Sequence, residues 1–334
     1  MTTPGDSIAS FVLTTRRRFW AAVLLAGSLA CNVAVLMLPF MQLRVGLSKS
    51  PYSLLSSVDM LWSSGLYVLA ILVVVFSVVF PFAKLGVLLW LCAHREINAR
   101  RLRWLTWVER FGKWSMLDVF LVCLILALTS GQLLVGSTPL IGIPVFVAAI
   151  MLSMAGGELL SVALPFPPSP PPLKGGVFAG GGGWLTLSGL ALAGTIGLPF
   201  LRIHDWLLAD NSYSIVTVVP TLMSKAIVPA VITGAFLIFT PVAAWIASCV
   251  WWLRLRRGQT ADAAYRHMLL WRRWSMLDVF GLALAIFLVE GDYLMNTEVR
   301  WGALALVTLL GLQRVLQAAL DRTLGKPADQ AASA

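Results

Sequence analysis

Two stretches of this chain carry an acid to the mouth of an apolar run. Trp114-Ser-Met-Leu-Asp118-Val-Phe120 recurs letter for letter as Trp274-Ser-Met-Leu-Asp278-Val-Phe280, an offset of 160 residues. An ionisable side chain inside a bilayer costs about 2.5–3.5 kcal/mol even on the lenient insertion scale, so each acid needs a reason. A third charge, Lys84, stands in Phe80-Pro81-Phe82-Ala83-Lys84-Leu85 within another apolar run. At 1.5 Å per helical residue, Lys84 and Asp118 lie in the same half of the membrane at depths differing by roughly 8 Å. A lysine side chain can close much of that gap, so an ammonium–carboxylate pair is the expected way to neutralise both.

Hydroxyls are spaced to join them. Ser77 lies two helical turns before Lys84, Ser115 shares a helix face with Asp118, and Ser153 adds a further hydroxyl. Pro81 removes a backbone hydrogen bond beside Lys84 and is an expected hinge, as is Pro241 at its offset position. Such a cluster can relay a proton or line a polar cavity, or it can lock helices together, since interhelical polar contacts are worth about 0.6 kcal/mol each. The buried charge favours the working role, because apolar side chains would hold a bundle more cheaply. The second copy keeps Ser275 and Asp278 but has Ala244 in place of Lys84, Leu237 in place of Ser77 and Gln313 in place of Ser153. The first copy is therefore the expected site of any charge-coupled step, and the second the expected scaffold.

Composition says what must position these groups. Of 334 residues 59% are hydrophobic and 12% charged, where soluble domains carry about 25% charged residues. The chain reads as an all-α polytopic membrane protein. Its net charge of +10 comes from arginines gathered between apolar runs, which the positive-inside bias explains without nucleic acid. Four scattered cysteines and three scattered histidines give no disulfide framework and no metal site. No nucleophile–base arrangement or nucleotide loop is present, so neither an enzyme nor a cofactor is expected.

Eight spans are predicted, at about 19–40, 62–93, 114–134, 140–162, 184–201, 217–253, 274–290 and 301–320. Arg16–Arg18, the 95–113 segment and the 254–273 segment hold most of the positive charge, which places both termini in the cytoplasm. The 160-residue offset also maps Pro81 onto Pro241 and Gly131 onto Gly291. Four spans per copy is an even number, so the copies are expected to run parallel about an axis along the membrane normal. The expected order is a cytoplasmic N-terminus (1–18), a four-helix module (19–164), a Pro/Gly-rich cytoplasmic linker (165–183), a second module (184–320) and a cytoplasmic tail (321–334). Weak alternation across Leu43–Ser48 suggests a short strand outside the membrane.

The repeated Trp-Ser-Met-Leu-Asp-Val-Phe, with Pro81-x-x-Lys84 and Pro241, resembles the PqiA/LetA (paraquat-inducible protein A) family over about residues 19–320. The resemblance implies tetraspanin- or TARP-like four-helix modules with small periplasmic strands. It also implies a place in the Gram-negative inner membrane, and a role in moving phospholipid between membranes with a periplasmic MCE-domain partner. The family's intramembrane polar network would correspond to Ser77, Lys84, Ser115, Asp118 and Ser153. Familiar members carry a cytoplasmic zinc ribbon with paired C-x-x-C motifs, which this sequence lacks. Two other readings stay open: a membrane scaffold for an envelope partner, and a stand-alone proton-coupled small-molecule transporter.

Overall fold

The computed structural model describes residues 11–12, 15–45, 48–63, 65, 67–94, 96–97, 99–128, 135–161, 181–204, 210–224, 226–291 and 297–331. The chain divides into two compact units, Met1–Pro165 and Phe166–Ala334. Most of the predicted linker lies outside the described residues, although Gly181–Gly183 already begin a helix.

In the first unit, β1 (Phe11–Val12) leads into α1 (Thr15–Met37), followed by β2 (Pro39–Val45) and β3 (Ser48–Ser53). Helices α2 (Leu54–Ser63) and α3 (Tyr67–Val73) come next, then a π-helical stretch, Val74–Val79, that runs straight into α4 (Phe80–Ala93). A short strand, β4 (Glu96–Ile97), and the helix α5 (Ala99–Gly112) follow, and a 3-10 turn at Lys113–Met116 leads into α6 (Leu117–Leu128). The unit closes with β5 (Val135–Pro139) and α7 (Gly142–Ser161). Strands β3, β2 and β5 form one antiparallel sheet, with Leu43 opposite Ser50 on one side and Ser137 on the other.

The second unit has α8 (Gly181–Gly197), β6 (Leu201–His204), β7 (Asp210–Tyr213), α9 (Ile215–Met223) and α10 (Ile227–Thr233). A second π-helical stretch, Gly234–Phe239, feeds α11 (Thr240–Arg256), and α12 (Asp262–Trp274), α13 (Leu277–Gly291), β8 (Thr297–Val299) and α14 (Trp301–Ala331) complete it. Its sheet has the order β7-β6-β8, with Leu201 between Tyr213 and Val299.

Both π-helical stretches end one residue before the helix that contains Pro81 or Pro241. Proline at that position cannot donate to the carbonyl four residues back, and the wider π turn takes up the misfit without ending the helix.

Five helices among the described residues are long and apolar enough to cross a membrane: Thr15–Met37, Val74–Ala93, Gly142–Ser161, Ile227–Arg256 and Trp301–Ala318. This is a helical, multi-pass membrane protein. The predicted spans at 114–134, 184–201 and 274–290 are occupied by α6, α8 and α13, of 12, 17 and 15 residues.

Small residues set the packing. In the first unit α1 lies along α7, and a Cβ on Gly156 would stand 3.0 Å from the Leu25 side chain, so glycine is what lets these helices approach. The same seam holds a buried polar contact: Ser28 Oγ donates to the Ala149 carbonyl at 2.7 Å, and Asn32 Nδ2 donates to the Ser28 carbonyl at 2.9 Å. In the second unit the Trp245 ring packs against Gly189, where any Cβ would meet it at 2.7 Å, and its indole N–H donates to the Leu185 carbonyl at 3.0 Å. Serine and threonine at the start of α9 cap it reciprocally: Ser214 Oγ accepts from the Thr217 N–H, and Thr217 Oγ1 accepts from the Ser214 N–H.

Candidate functional site

Helix α4 is apolar around its whole circumference, and the single charge it carries points inward. Lys84 is only 5% exposed, which rules out escape of its ammonium to the membrane surface. Lys84 Nζ donates to Ser153 Oγ on α7 at 3.0 Å and to the Gly112 carbonyl, at the end of α5, at 3.5 Å. Ser153 Oγ in turn donates to the Ile150 carbonyl at 2.9 Å. Ammonium, hydroxyl and carbonyl thus form a chain of donors and acceptors across three helices.

Gly112 belongs to this site through its carbonyl and its closeness to the lysine. A Cβ there would sit 3.4 Å from Lys84 Nζ and 3.6 Å from Lys84 Cε, in van der Waals contact with the lysine stem. Gly112 stands where α5 passes into the 3-10 turn, and its carbonyl faces the ammonium there.

Ser77 is buried within the first π-helical stretch, about two turns before Lys84. Ser115 is buried in the 3-10 turn, and its Oγ meets no hydrogen-bond partner among the described residues. Asp118 is the second residue of α6, which starts directly after that turn; its side chain lies outside what the structure describes, and so does the expected pair with Lys84. The structure therefore brings together Lys84, Ser153 and Gly112, with Ser77 and Ser115 buried in the adjoining segments.

In the second unit Leu237 and Ala244, which replace Ser77 and Lys84, are both buried. Asp278 is half-buried at the start of α13, and its Oδ1 accepts from the Val279 N–H at 3.1 Å, an N-terminal position that suits a carboxylate. Gln313 is half-buried on α14, and its backbone carbonyl accepts from Arg272 Nη2 at 3.4 Å. Burial lowers the Arg272 pKa from the ordinary arginine value, with Tyr265 working the other way. Thr240 Oγ1 donates at 3.1 Å to the Phe236 carbonyl within its own helix and lies 3.2 Å from the Trp274 carbonyl, tying the start of α11 to the heptapeptide.

Several contributors have no signal in composition or hydropathy. The Trp114 ring stacks on Phe76 at 6.5 Å and 29°, and the Trp274 ring on Phe236 at 6.0 Å and 11°. Their place at span starts suggests an interfacial belt; the rings also join each heptapeptide to a π-helical stretch. The pairing is visible in the sequence only as two aromatic residues that repeat at the same 160-residue offset. Arg18 reads as a topology signal, yet its Nε and Nη2 donate to the Cys92 and Ala93 carbonyls at 3.0 Å each and close the end of α4. Met116 and Met276 are fully buried packing residues.

A groove of about 400 Å³ opens between α11 and α12. Ala243, Ala247 and Val250 line it on one side and Ala264 on the other, with Arg254 and His267 among the lining residues. At the same offset in the first unit, Val250 and His267 become Trp90 and Trp107. Among the described residues no three His, Cys, Asp or Glu side chains gather as a metal site.

The model of the paraquat-inducible protein A family matches the chain twice, at residues 17–163 and 185–325. Proteins named "Intermembrane transport protein PqiA" from two strains of Escherichia coli and from Shigella flexneri are each 29% identical to this chain over 156 residues. That alignment covers 45% of this chain and 37% of each relative, so it takes in well under half of the relatives' length. No solved structure matches the chain. With the family's pattern found once in each unit and spanning most of the sequence, the chain belongs to the paraquat-inducible protein A family.

Proposed function

We propose that this protein is the inner-membrane component of a system that moves phospholipid between two membranes. It would load or unload lipid at a tunnel formed by a periplasmic MCE-domain partner. Eight spans in two parallel four-helix units, with both termini in the cytoplasm and the small sheets in the periplasm, are the arrangement this reading uses. α6, α8 and α13 would complete the crossings that the five long helices begin. The protein acts as a transporter and not as an enzyme.

The observation that carries the reading is the buried Lys84 centre, inside a unit that matches the family of an intermembrane transport protein. A positive charge held away from water is a costly thing to keep in a bundle, and its hydroxyl and carbonyl partners can pass a proton or hold an anionic headgroup. Asp118, together with Ser77 and Ser115, would complete that network. The groove between α11 and α12 supports lipid as cargo, since its largely apolar walls, Ile246 and Trp271 among them, suit an acyl chain and Arg254 suits a phosphate.

Purification of the full chain from membranes, with mass spectrometry of co-purifying lipids and proteins, tests cargo and partner together. Phospholipid and an MCE-domain protein are expected. A scaffold would keep the partner and lose nothing on Lys84→Met or Asp118→Asn. A stand-alone proton-coupled transporter would move solute in proteoliposomes without any partner, and Asp118→Asn would stop it. Either result overturns the proposal.

A further inference from the structure

The loss of Lys84 from the second copy suggests a unit without its cation, but the structure places another cation at the same joint. At the 160-residue offset Lys84 corresponds to Ala244, Gly112 to Arg272 and Ser153 to Gln313. The two changes are reciprocal. The first unit has a lysine on α4 and no side chain at the end of α5; the second has a minimal side chain on α11 and an arginine at the end of α12.

Geometry explains why they change together. In the first unit a Cβ at position 112 would stand in van der Waals contact with the Lys84 side chain, 3.4 Å from Nζ, so a change at either position is felt at the other. In the second unit Ala244 is buried and carries only a methyl group. The bonds agree as well. Lys84 links the backbone of position 112 to the side chain of position 153, while Arg272, standing at the position of Gly112, reaches the backbone of Gln313, the position of Ser153. Each cation therefore ties the end of the helix before the heptapeptide to the last helix of its unit.

We propose that Arg272 is the second unit's counterpart of Lys84, a half-buried cation moved from one helix to the next. Both units, not one, then keep a positive charge at the joint between the heptapeptide and the closing helix. The two charges differ in kind. An amine can give up its proton, whereas a guanidinium stays charged and presents a fixed fork of donors. The second unit is thus a permanently charged centre and not a neutral scaffold. This holds whatever the protein carries; only the activity measurement below rests on the transport reading.

The test is to move the charge back. In the full-length protein, Arg272→Gly combined with Ala244→Lys puts the cation where the first unit has it. Acetylation of the folded protein, read by mass spectrometry, should modify the amine introduced at position 244 at least about tenfold more slowly than exposed lysines, as it should Lys84. Labelling at the exposed rate overturns the proposal, and it does so even if no lipid is ever transported. In vesicle-to-vesicle transfer of a fluorescent phospholipid, Arg272→Gly should lose most of its rate, and adding Ala244→Lys should recover at least half of it. Ala244→Met in the same background should recover none. Equal recovery by methionine, or none by lysine in a folded protein, overturns the proposal. If the double variants do not fold, the single substitutions decide: Arg272→Lys should stay active and Arg272→Met should not, and an active methionine variant overturns it.

Discussion

Replacing Lys84 with methionine should separate the stability of the first unit from its activity. Methionine keeps most of the volume of the lysine stem and removes the charge. What is lost is one well-formed bond from an ammonium, to Ser153 Oγ at 3.0 Å, worth about 1.5–3 kcal/mol. The second contact, 3.5 Å to the Gly112 carbonyl, is at the limit of hydrogen-bond geometry and adds little. Ser153 stays satisfied, because its hydroxyl already donates to the Ile150 carbonyl. What is gained is release from holding a charge in a site that is 5% exposed, about 2.5–3.5 kcal/mol on the insertion scale. The balance for Lys84→Met runs from a loss of about 0.5 to a gain of about 2 kcal/mol. Unfolding of the purified protein in detergent, followed by tryptophan fluorescence, measures this, and vesicle-to-vesicle lipid transfer measures activity. The expected variant is at least nearly as stable as the parent and inactive. A variant that transfers lipid at the parent rate, or that is weaker by more than about 2 kcal/mol, would refute the balance drawn between bond and burial.

Four further outcomes follow from named contacts. Trp114→Leu and Trp274→Leu each remove a stacked ring, and each should cost about 1–2 kcal/mol in the same unfolding assay. Gly156→Ala should cost about 1–3 kcal/mol through its contact with Leu25, and Leu25→Ala in the same chain should relieve part of that overpacking. Ser28→Ala breaks the buried bond to the Ala149 carbonyl and should lower stability by about 1–2 kcal/mol, whereas Ser28→Thr should cost less if its hydroxyl reaches the same carbonyl. Gly302→Ala forces a Cβ against the Leu198 carbonyl oxygen and the Pro199 backbone, which cannot swing aside, so the yield of folded protein should fall sharply.

Membrane character and helical class were legible because they rest on composition and run length, which need no partner. The polar types at positions 77, 84, 115 and 153 were legible for the same reason: each stands out against an apolar run. That Lys84 meets Ser153 was not legible, since helical spacing within α4 or α7 says nothing about how the two helices are turned toward each other. Gly112 was harder still, because its contribution is a backbone carbonyl, which every residue type has. Arg272 was hidden behind a simpler explanation: arginines between spans are expected for topology, and only the paired change at positions 244 and 272 marks this one out. Trp114 shows the same limit, as a tryptophan at a span start already has an ordinary reason to be there. The segment 165–180 and the side chain of Asp118 lie outside the described residues.

The widened turns ahead of Pro81 and Pro241 have a mechanical consequence. A π turn holds one residue more than an α turn, and each residue of an α-helix advances by about 100° around the axis. Were the extra residue to pass out of the Val74–Val79 turn along the helix, the segment it crossed would swivel by about 100° as its hydrogen bonds changed partners. Lys84, one turn past the proline, would sweep from the α7 side of the bundle to a different neighbour. Such a rotation would carry the Lys84 charge with it, and the same widened turn stands ahead of Pro241 in the other half of the chain.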